Sequence, residues 1–272
     1  MGETLGTVEV LRRYPVKGLL GEEVAAGDVA ATGLAGDRGL ALVDAETGKV
    51  ASPKNPRIWR GMLALSAAIE SGGVRVTLPD GESVRADDPH VDEVLSRALG
   101  RKVTLTSTPP EKAALERAVP EEVLSEGVTA RVTVQESVLG AGSPPGTFFD
   151  YAPLHLVTTS AIAAAGVEAV RYRPNLIIRT AGEGYVENGW AGTEVAVGEE
   201  VVLRVTVPTP RCAVPTLEHG ALPRDTSALR TPAAHNLVEP LPGYGARPCV
   251  GVYAEVLRPG RIRSGDQVRL LS

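Results

Sequence analysis

The chain has 272 residues, 43% of them hydrophobic, and a formal net charge of -5. That is enough apolar material for one large core or two small ones, and too little basic excess for a nucleic-acid-binding face. No basic segment runs into an apolar one near residue 1, and no stretch approaches the about 18 apolar residues of a membrane helix, so a cytoplasmic protein with no nucleic-acid or membrane partner is expected. Two cysteines make no disulfide framework, and four scattered histidines without paired spacing argue against structural zinc.

The first third reads as short strands joined by turns. Thr7–Tyr14 alternates in part, Leu40–Val43 runs into the turn Asp44-Ala45-Glu46-Thr47-Gly48, and Val74–Leu78 runs into Pro79-Asp80-Gly81. Asp87 or Asp88 is a candidate cap for a helix through Val91, Val94, Leu95 and Ala98 to Leu99, stopped by Gly100, and a strand follows over Val103–Thr106. Residues 109–127 are rich in charge and proline and read as a linker between an N-terminal β-rich region, 1–108, and a second domain, 128–272. Gly140–Gly146 lacks the Gly-Lys-Ser/Thr ending of a phosphate-binding loop and reads as a surface loop.

Beyond it, Asn175–Arg179, Glu194–Val197, Val201–Val207, Val250–Leu257 and Gln267–Leu271 are the best strand candidates. Short helices are expected after Thr158-Thr159-Ser160 and after Asp225. Strands at these intervals favour a closed sheet. The expected class is mainly β with short helices, a β-barrel-rich α+β fold.

Four cations sit at strand ends or turns: Lys17 and Arg38 beside glycines, Arg173 and Arg211 beside prolines. A single such side chain is ordinarily solvated surface, but glycine and proline fix the backbone that carries it. Guanidinium groups bind phosphate and carboxylate in a two-pronged fashion, so a convergence of these four makes an anion pocket. Cys212 follows Arg211 directly. A lone intracellular cysteine is usually a small buried hydrophobe; a neighbouring cation favours the thiolate, the form that binds soft metals or attacks. Metal ligand and nucleophile or sulfur carrier both remain open. A cysteine-protease arrangement has little support, since no histidine carries a recognisable signature. Cys249, Trp59 and Trp190 read as packed residues.

The ordered motifs Tyr14-Pro15-Val16-Lys17, Gly33-Leu34-Ala35-Gly36-Asp37-Arg38 and Lys54-Asn55-Pro56-Arg57 resemble the N-terminal β-barrel region of MOSC proteins. Gly146–Asp150, Leu154–Ser160, Arg173-Pro174-Asn175, Trp190-Ala191-Gly192, Pro210-Arg211-Cys212 and Gly265-Asp266 resemble the MOSC domain, which is shared by molybdenum cofactor sulfurase and the amidoxime-reducing molybdoenzymes.

The resemblance implies a molybdopterin-type molybdenum cofactor. It makes Cys212 the thiolate on molybdenum and the catalytic residue, and gives Lys17, Arg38, Arg173 and Arg211 the cofactor's phosphate and pterin, with Asn175 hydrogen-bonding nearby. Thr158, Thr159 and Ser160, at a helix start, are expected to help bind the phosphate. The implied reaction is reduction of N-hydroxylated small molecules by oxygen-atom transfer to molybdenum; the alternative is a non-catalytic carrier of cofactor or sulfur on a Cys212 persulfide. Two cysteines cannot supply a ferredoxin-type cluster, so electrons are expected from a separate ferredoxin, flavoprotein or cytochrome. The chain is too short to add the sulfurase's pyridoxal-phosphate domain. Gly18 stands where many relatives have serine.

Overall fold

The computed structural model describes residues 2–70, 72–140, 143–144 and 146–271. Ala141, Gly142 and Pro145, within the expected surface loop, lie outside the described residues. The architecture is mainly β, as expected, and centres on a closed barrel of seven strands. These are β1 (Thr4–Arg13), β2 (Leu154–Thr158), β3 (Leu176–Arg179), β4 (Glu194–Val197), β5 (Val201–Pro210), β6 (Arg247–Arg258) and β7 (Gln267–Leu271). Their order around the barrel is β2-β3-β1-β7-β4-β5-β6, and β6 pairs back onto β2.

Alternating side chains fill the interior. Val201, Leu203 and Val205 of β5, Val195 and Val197 of β4, and Leu154 and Leu156 of β2 are all buried, the two-residue period of a strand with one face inward. Among the barrel strands only the β2–β3 pair is parallel, and a parallel pair cannot be joined by a hairpin. The connection is the helix Thr159–Ala165 followed by the 3-10 turn Ala169–Tyr172, and it re-enters the barrel through Arg173-Pro174-Asn175. The crossover therefore delivers two of the expected site residues to the start of β3.

A second core lies between the strands Ala41–Asp44 and Val103–Thr106, the three-stranded sheet of Ser66–Glu70, Gly73–Thr77 and Ser83–Arg85, and the helix Val91–Leu99. Leu42, Met62, Leu65, Val76 and Leu95 are fully or almost fully buried there. The helix ends where expected because Gly100 takes the left-handed conformation, φ 64°, and its amide returns to the Arg97 carbonyl. Neither aspartate caps its start: His90 occupies that position, and Asp88 accepts from the His90 amide.

Two expectations about organisation change. Strand β1 comes from the N-terminal third yet sits between β3 and β7, completing the barrel of the second half. The stretch 109–127 contains the strand Ala114–Ala118 and the helix Pro120–Glu126, and that strand pairs antiparallel with Val134–Val138. Its charges hid the buried apolar positions Leu115, Ala118 and Val123. The Val50 amide donates to the Ala114 carbonyl and the Ala118 amide to the Lys54 carbonyl, which fastens the arm along residues 50–54.

Candidate functional site

The cleft is assembled around Tyr14, at the end of β1. Its amide donates to Asp37 Oδ1 at 2.6 Å, its carbonyl accepts from the Arg38 amide, and its hydroxyl donates to the Pro174 carbonyl at 3.2 Å. The Gly36-Asp37-Arg38 turn and the Arg173-Pro174-Asn175 re-entry are thereby tied to one buried ring. Arg38 and Arg173 are, among the described residues, the two non-glycine residues with positive φ, at 49° and 56°. Left-handed backbone costs an L-residue roughly 1 kcal/mol or more, so the fold accepts strain to aim both side chains.

Arg38 pairs with Asp37 and reaches Asn175 Oδ1 at 3.4 Å and the Arg173 carbonyl at 3.3 Å. Arg173 donates to the Leu19 carbonyl at 2.6 Å through Nη1, while its buried Nη2 has no hydrogen-bond partner. Arg211 lies over the Tyr172 ring at 5.2 Å and donates to the Tyr172 carbonyl at 3.0 Å; its Nε is likewise buried without a partner. Lys17 Nζ donates to the Phe148 carbonyl and to Asp150, both at 2.8 Å, and Lys54 Nζ meets the same carboxylate at 2.7 Å.

Lys17, Arg38, Arg173, Asn175, Arg211 and Cys212 all line this one cleft, together with Lys54, Asp150, His155 and Tyr253. Cys212 is half-buried against Leu63, Val214 and Leu217, with one side on the cleft, whereas Cys249 is fully buried and its thiol is pushed up to about 11 by burial. Trp59 and Trp190 are packed, as read. Asn175 lines the wall, but its amide is committed: Oδ1 accepts from the His155 amide at 3.1 Å and Nδ2 donates to the Arg12 carbonyl at 3.2 Å. It locks β3 to β1 and β2.

Thr158, Thr159 and Ser160, expected at a helix start, are not in the cleft lining. His155, near the opposite end of β2, does line it, and three residues of strand separate the two ends by about 10 Å. The Thr158 hydroxyl accepts from the Ala161 amide and donates to Glu187 at 2.6 Å. Ser160 Oγ contacts the Thr158 and Thr180 hydroxyls, and the Thr159 hydroxyl accepts from the Thr180 amide.

The electrostatics show a cleft with surplus positive charge. Burial, and then the neighbouring Arg38, bring the Arg173 guanidinium down to about 10. Burial brings Lys17 down to about 8 against the pull of Asp150, and it lowers Lys54 in the same way. Burial would raise Asp150, but Lys17 and Lys54 together hold it well below the usual carboxylate range. Burial and Arg211 hold His155 far below its ordinary value, so its imidazole is neutral at physiological pH. Lys17, Lys54, Arg38, Arg173 and Arg211 face only Asp150 and the Asp37 behind Arg38. An anionic group bearing several acceptors fits this set, because it offsets the surplus and supplies partners for Arg173 Nη2 and Arg211 Nε.

Sequence reasoning assigned no role to Lys54, Asp150, His155, Tyr14 or Tyr253. Lys54, Asp150, His155 and Tyr14 lie inside the motifs that carried the resemblance, and Lys54 shares the proline-flanked mount of Arg211, since Pro53 precedes it. Tyr253, inside an apolar strand, carried no signal.

A MOSC domain model matches residues 149–269, and a MOSC N-terminal beta barrel domain model matches residues 5–114. The chain is 35% identical over 108 residues to mitochondrial amidoxime-reducing component 1 of Mus musculus, a match spanning 39% of this chain and 31% of that protein. It is 26% identical over 291 residues to mitochondrial amidoxime-reducing component 1 of Homo sapiens, spanning 99% of this chain and 84% of that protein. Among solved structures, the YUAD protein from Bacillus subtilis aligns over 97% of this chain and 94% of its own, at 11% identity and a TM-score of 0.45.

Proposed function

We propose that this chain, which belongs to the MOSC-domain family, is a molybdenum-cofactor-binding oxidoreductase that reduces N-hydroxylated small molecules. The observation that carries the reading is the meeting, in one cleft, of five cationic side chains, two orphaned guanidinium nitrogens and a half-buried cysteine. Two relatives named as amidoxime-reducing components support the choice of substrate class.

In this reading Lys17, Lys54, Arg38, Arg173 and Arg211 hold the cofactor's phosphate and pterin, and Cys212 is the protein thiolate on the metal. Among the described residues no group of three or more His, Cys, Asp or Glu is placed to hold a metal ion, so Cys212 would be joined by the cofactor's own sulfur donors. When bound, such a cofactor supplies two-electron redox chemistry with exchange of an oxygen atom, which no side chain here provides.

The chain's own residues set the surroundings. His155, held neutral, adds no further charge to the cleft, and Tyr253, pushed up to about 12 by burial, keeps its phenolic proton as a donor. In the net reaction the N–O bond breaks, two electrons and two protons enter, and the oxygen leaves as water. The electrons come from a separate donor protein, of ferredoxin, flavoprotein or cytochrome type. No helix among the described residues is long and apolar enough to cross a membrane, and we place the protein in the cytoplasm.

The test is molybdenum and pterin content of protein from a molybdate-replete host, for wild type and Cys212→Ser, followed by benzamidoxime reduction with an artificial reductant. Molybdenum in the wild type, depleted by Cys212→Ser, together with turnover supports the reading. A metal-free wild type carrying a Cys212 persulfide would favour a sulfur carrier, and bound cofactor without turnover a cofactor carrier. Protein with neither molybdenum nor persulfide overturns both.

A further inference from the structure

A second chamber adjoins the cleft at Cys212. It shares Lys54, Asp150, Arg211, Cys212 and Tyr253 with the cationic cleft, but its remaining walls are of another kind. Tyr151 and Tyr253 lie with ring centroids 5.3 Å apart and tilted by 36°, forming an aromatic wall. Pro210, Pro240, Leu241 and Tyr244 face the same space. A planar apolar body fits such a wall, and a phosphate-bearing one does not need it.

One charged residue belongs to this chamber and not to the cleft: Arg117. It comes from the strand Ala114–Ala118, in the stretch whose composition reads as a linker. The guanidinium is part-buried and has no hydrogen bond or ion pair to any described residue. Strand alternation turns the adjacent Glu116 to the opposite face, where it accepts from Asn55 at 2.8 Å and pairs with Lys49 at 3.2 Å. Asp150, the chamber's own carboxylate, is already shared between Lys17 and Lys54. Arg117 is thus a part-buried cation with no hydrogen-bonded or ion-paired partner among the described residues, balanced only at longer range by Cys212 and Asp150, at the wall of an aromatic pocket that contains Cys212.

We infer that this chamber is the substrate compartment and that Arg117 determines its specificity, selecting planar molecules that carry a carboxylate remote from the reacting group. The inference rests on the proposed function for the identity of the reacting group, and on the chamber alone for the acid. A guanidinium recognises a carboxylate through two parallel hydrogen bonds, and in a part-buried setting that pairing discriminates strongly against a neutral analogue. The tyrosine wall fixes the ring, Arg117 fixes the far end, and the N-hydroxylated end is left toward Cys212.

The experiment is calorimetric titration of 4-carboxybenzamidoxime and of benzamidoxime into wild type, Arg117→Gln, Arg117→Lys and a surface control, Lys112→Gln, with molybdenum content measured on each preparation. Wild type and Lys112→Gln are expected to bind the acid at least about tenfold more tightly than the neutral compound. Arg117→Gln abolishes the preference without weakening benzamidoxime, and Arg117→Lys keeps part of it. In turnover, Arg117→Gln raises KM for the acid and leaves kcat unchanged. Equal affinities in wild type, no binding of either compound, or a preference that survives Arg117→Gln overturns the assignment. Molybdenum content reports separately: acid selectivity on metal-free protein sinks the redox reading alone, and loaded protein without selectivity sinks only the role of Arg117.

Discussion

Arg38 and Arg173 lie against the same aromatic ring: their guanidinium carbons are 4.9 and 4.3 Å from the centroid of Tyr14. Two like charges are held together on left-handed backbone, and Arg173 keeps an unpartnered nitrogen. Such an arrangement spends stability on a ligand.

Arg173→Asn tests that trade. Asparagine tolerates left-handed backbone, and the substitution removes a buried like charge while losing the bond to the Leu19 carbonyl. Ligand-free stability should stay within about 1 kcal/mol of wild type, since the lost hydrogen bond and the relieved repulsion are of similar size. The rise in Tm produced by sulfate should fall sharply. A ligand-free protein weakened by much more, or an unchanged sulfate response, would contradict this account.

The affinity for anions should depend on pH through Lys17. Folded Lys17 titrates near 8, below its ordinary 10.5, because burial disfavours the ammonium. Sulfate keeps its charge across this range, so its affinity should fall as pH rises through about 8, with proton uptake on binding near pH 8.5. Without ligand the sign reverses: between about 8 and 10.5 the unfolded lysine holds a proton that the folded one has lost, so this residue's contribution to stability rises with pH. Asp150 opposes the depression, so Asp150→Asn should move the loss of sulfate binding to lower pH. Calorimetry in two buffers of different ionisation enthalpy reads both effects.

Arg171 should matter for the shape of the site without touching a ligand. It is fully buried and donates to the carbonyls of Leu217 at 3.0 Å and Pro223 at 2.9 Å, while Nε pairs with Glu168 at 2.7 Å. These bonds pin the chain that follows Cys212. Arg171→Met strands the carbonyls and is expected to cost on the order of 3 kcal/mol. Urea unfolding measures that loss, and Cys212 should react faster with a thiol reagent while Cys249 does not.

Gly18→Ser asks why serine is missing. Gly18 has φ +84°, and a Cβ there would lie 2.6 Å from Met62 Cε and 3.0 Å from Pro53 Cδ. The substitution should destabilise by about 1–2 kcal/mol from the backbone alone, and by more if Met62 cannot move. Met62→Val in the same chain should recover the steric part only. Full stability in Gly18→Ser would show that the turn can change conformation.

Local signals survived translation into three dimensions. Val103–Thr106, Glu194–Val197 and Gln267–Leu271 are strands with the limits their side-chain pattern implies, and Gly100 ends its helix. The four cations on glycine or proline mounts did converge, because those mounts fix where a side chain leaves the backbone. At Thr158 the hydroxyls of a helix start resemble an anion site, and nothing local reveals that Glu187, 29 residues on, takes up the hydroxyl. The arm carrying Arg117 was hidden by its charges. The pairing of β1 with β3 joins residues more than a hundred and fifty positions apart, a distance across which no short motif speaks.

Strand β1 is also the one strand of the barrel drawn from the N-terminal third. Separated from Thr4–Arg13, the remaining six strands would present two bare edges, on β3 and β7, with unpaired backbone groups facing solvent. Exposed strand edges of this kind are templates for pairing with other chains. Cutting the chain between its halves would therefore leave the second half without strand β1 of its barrel, and without Lys17 and Arg38 of the cleft.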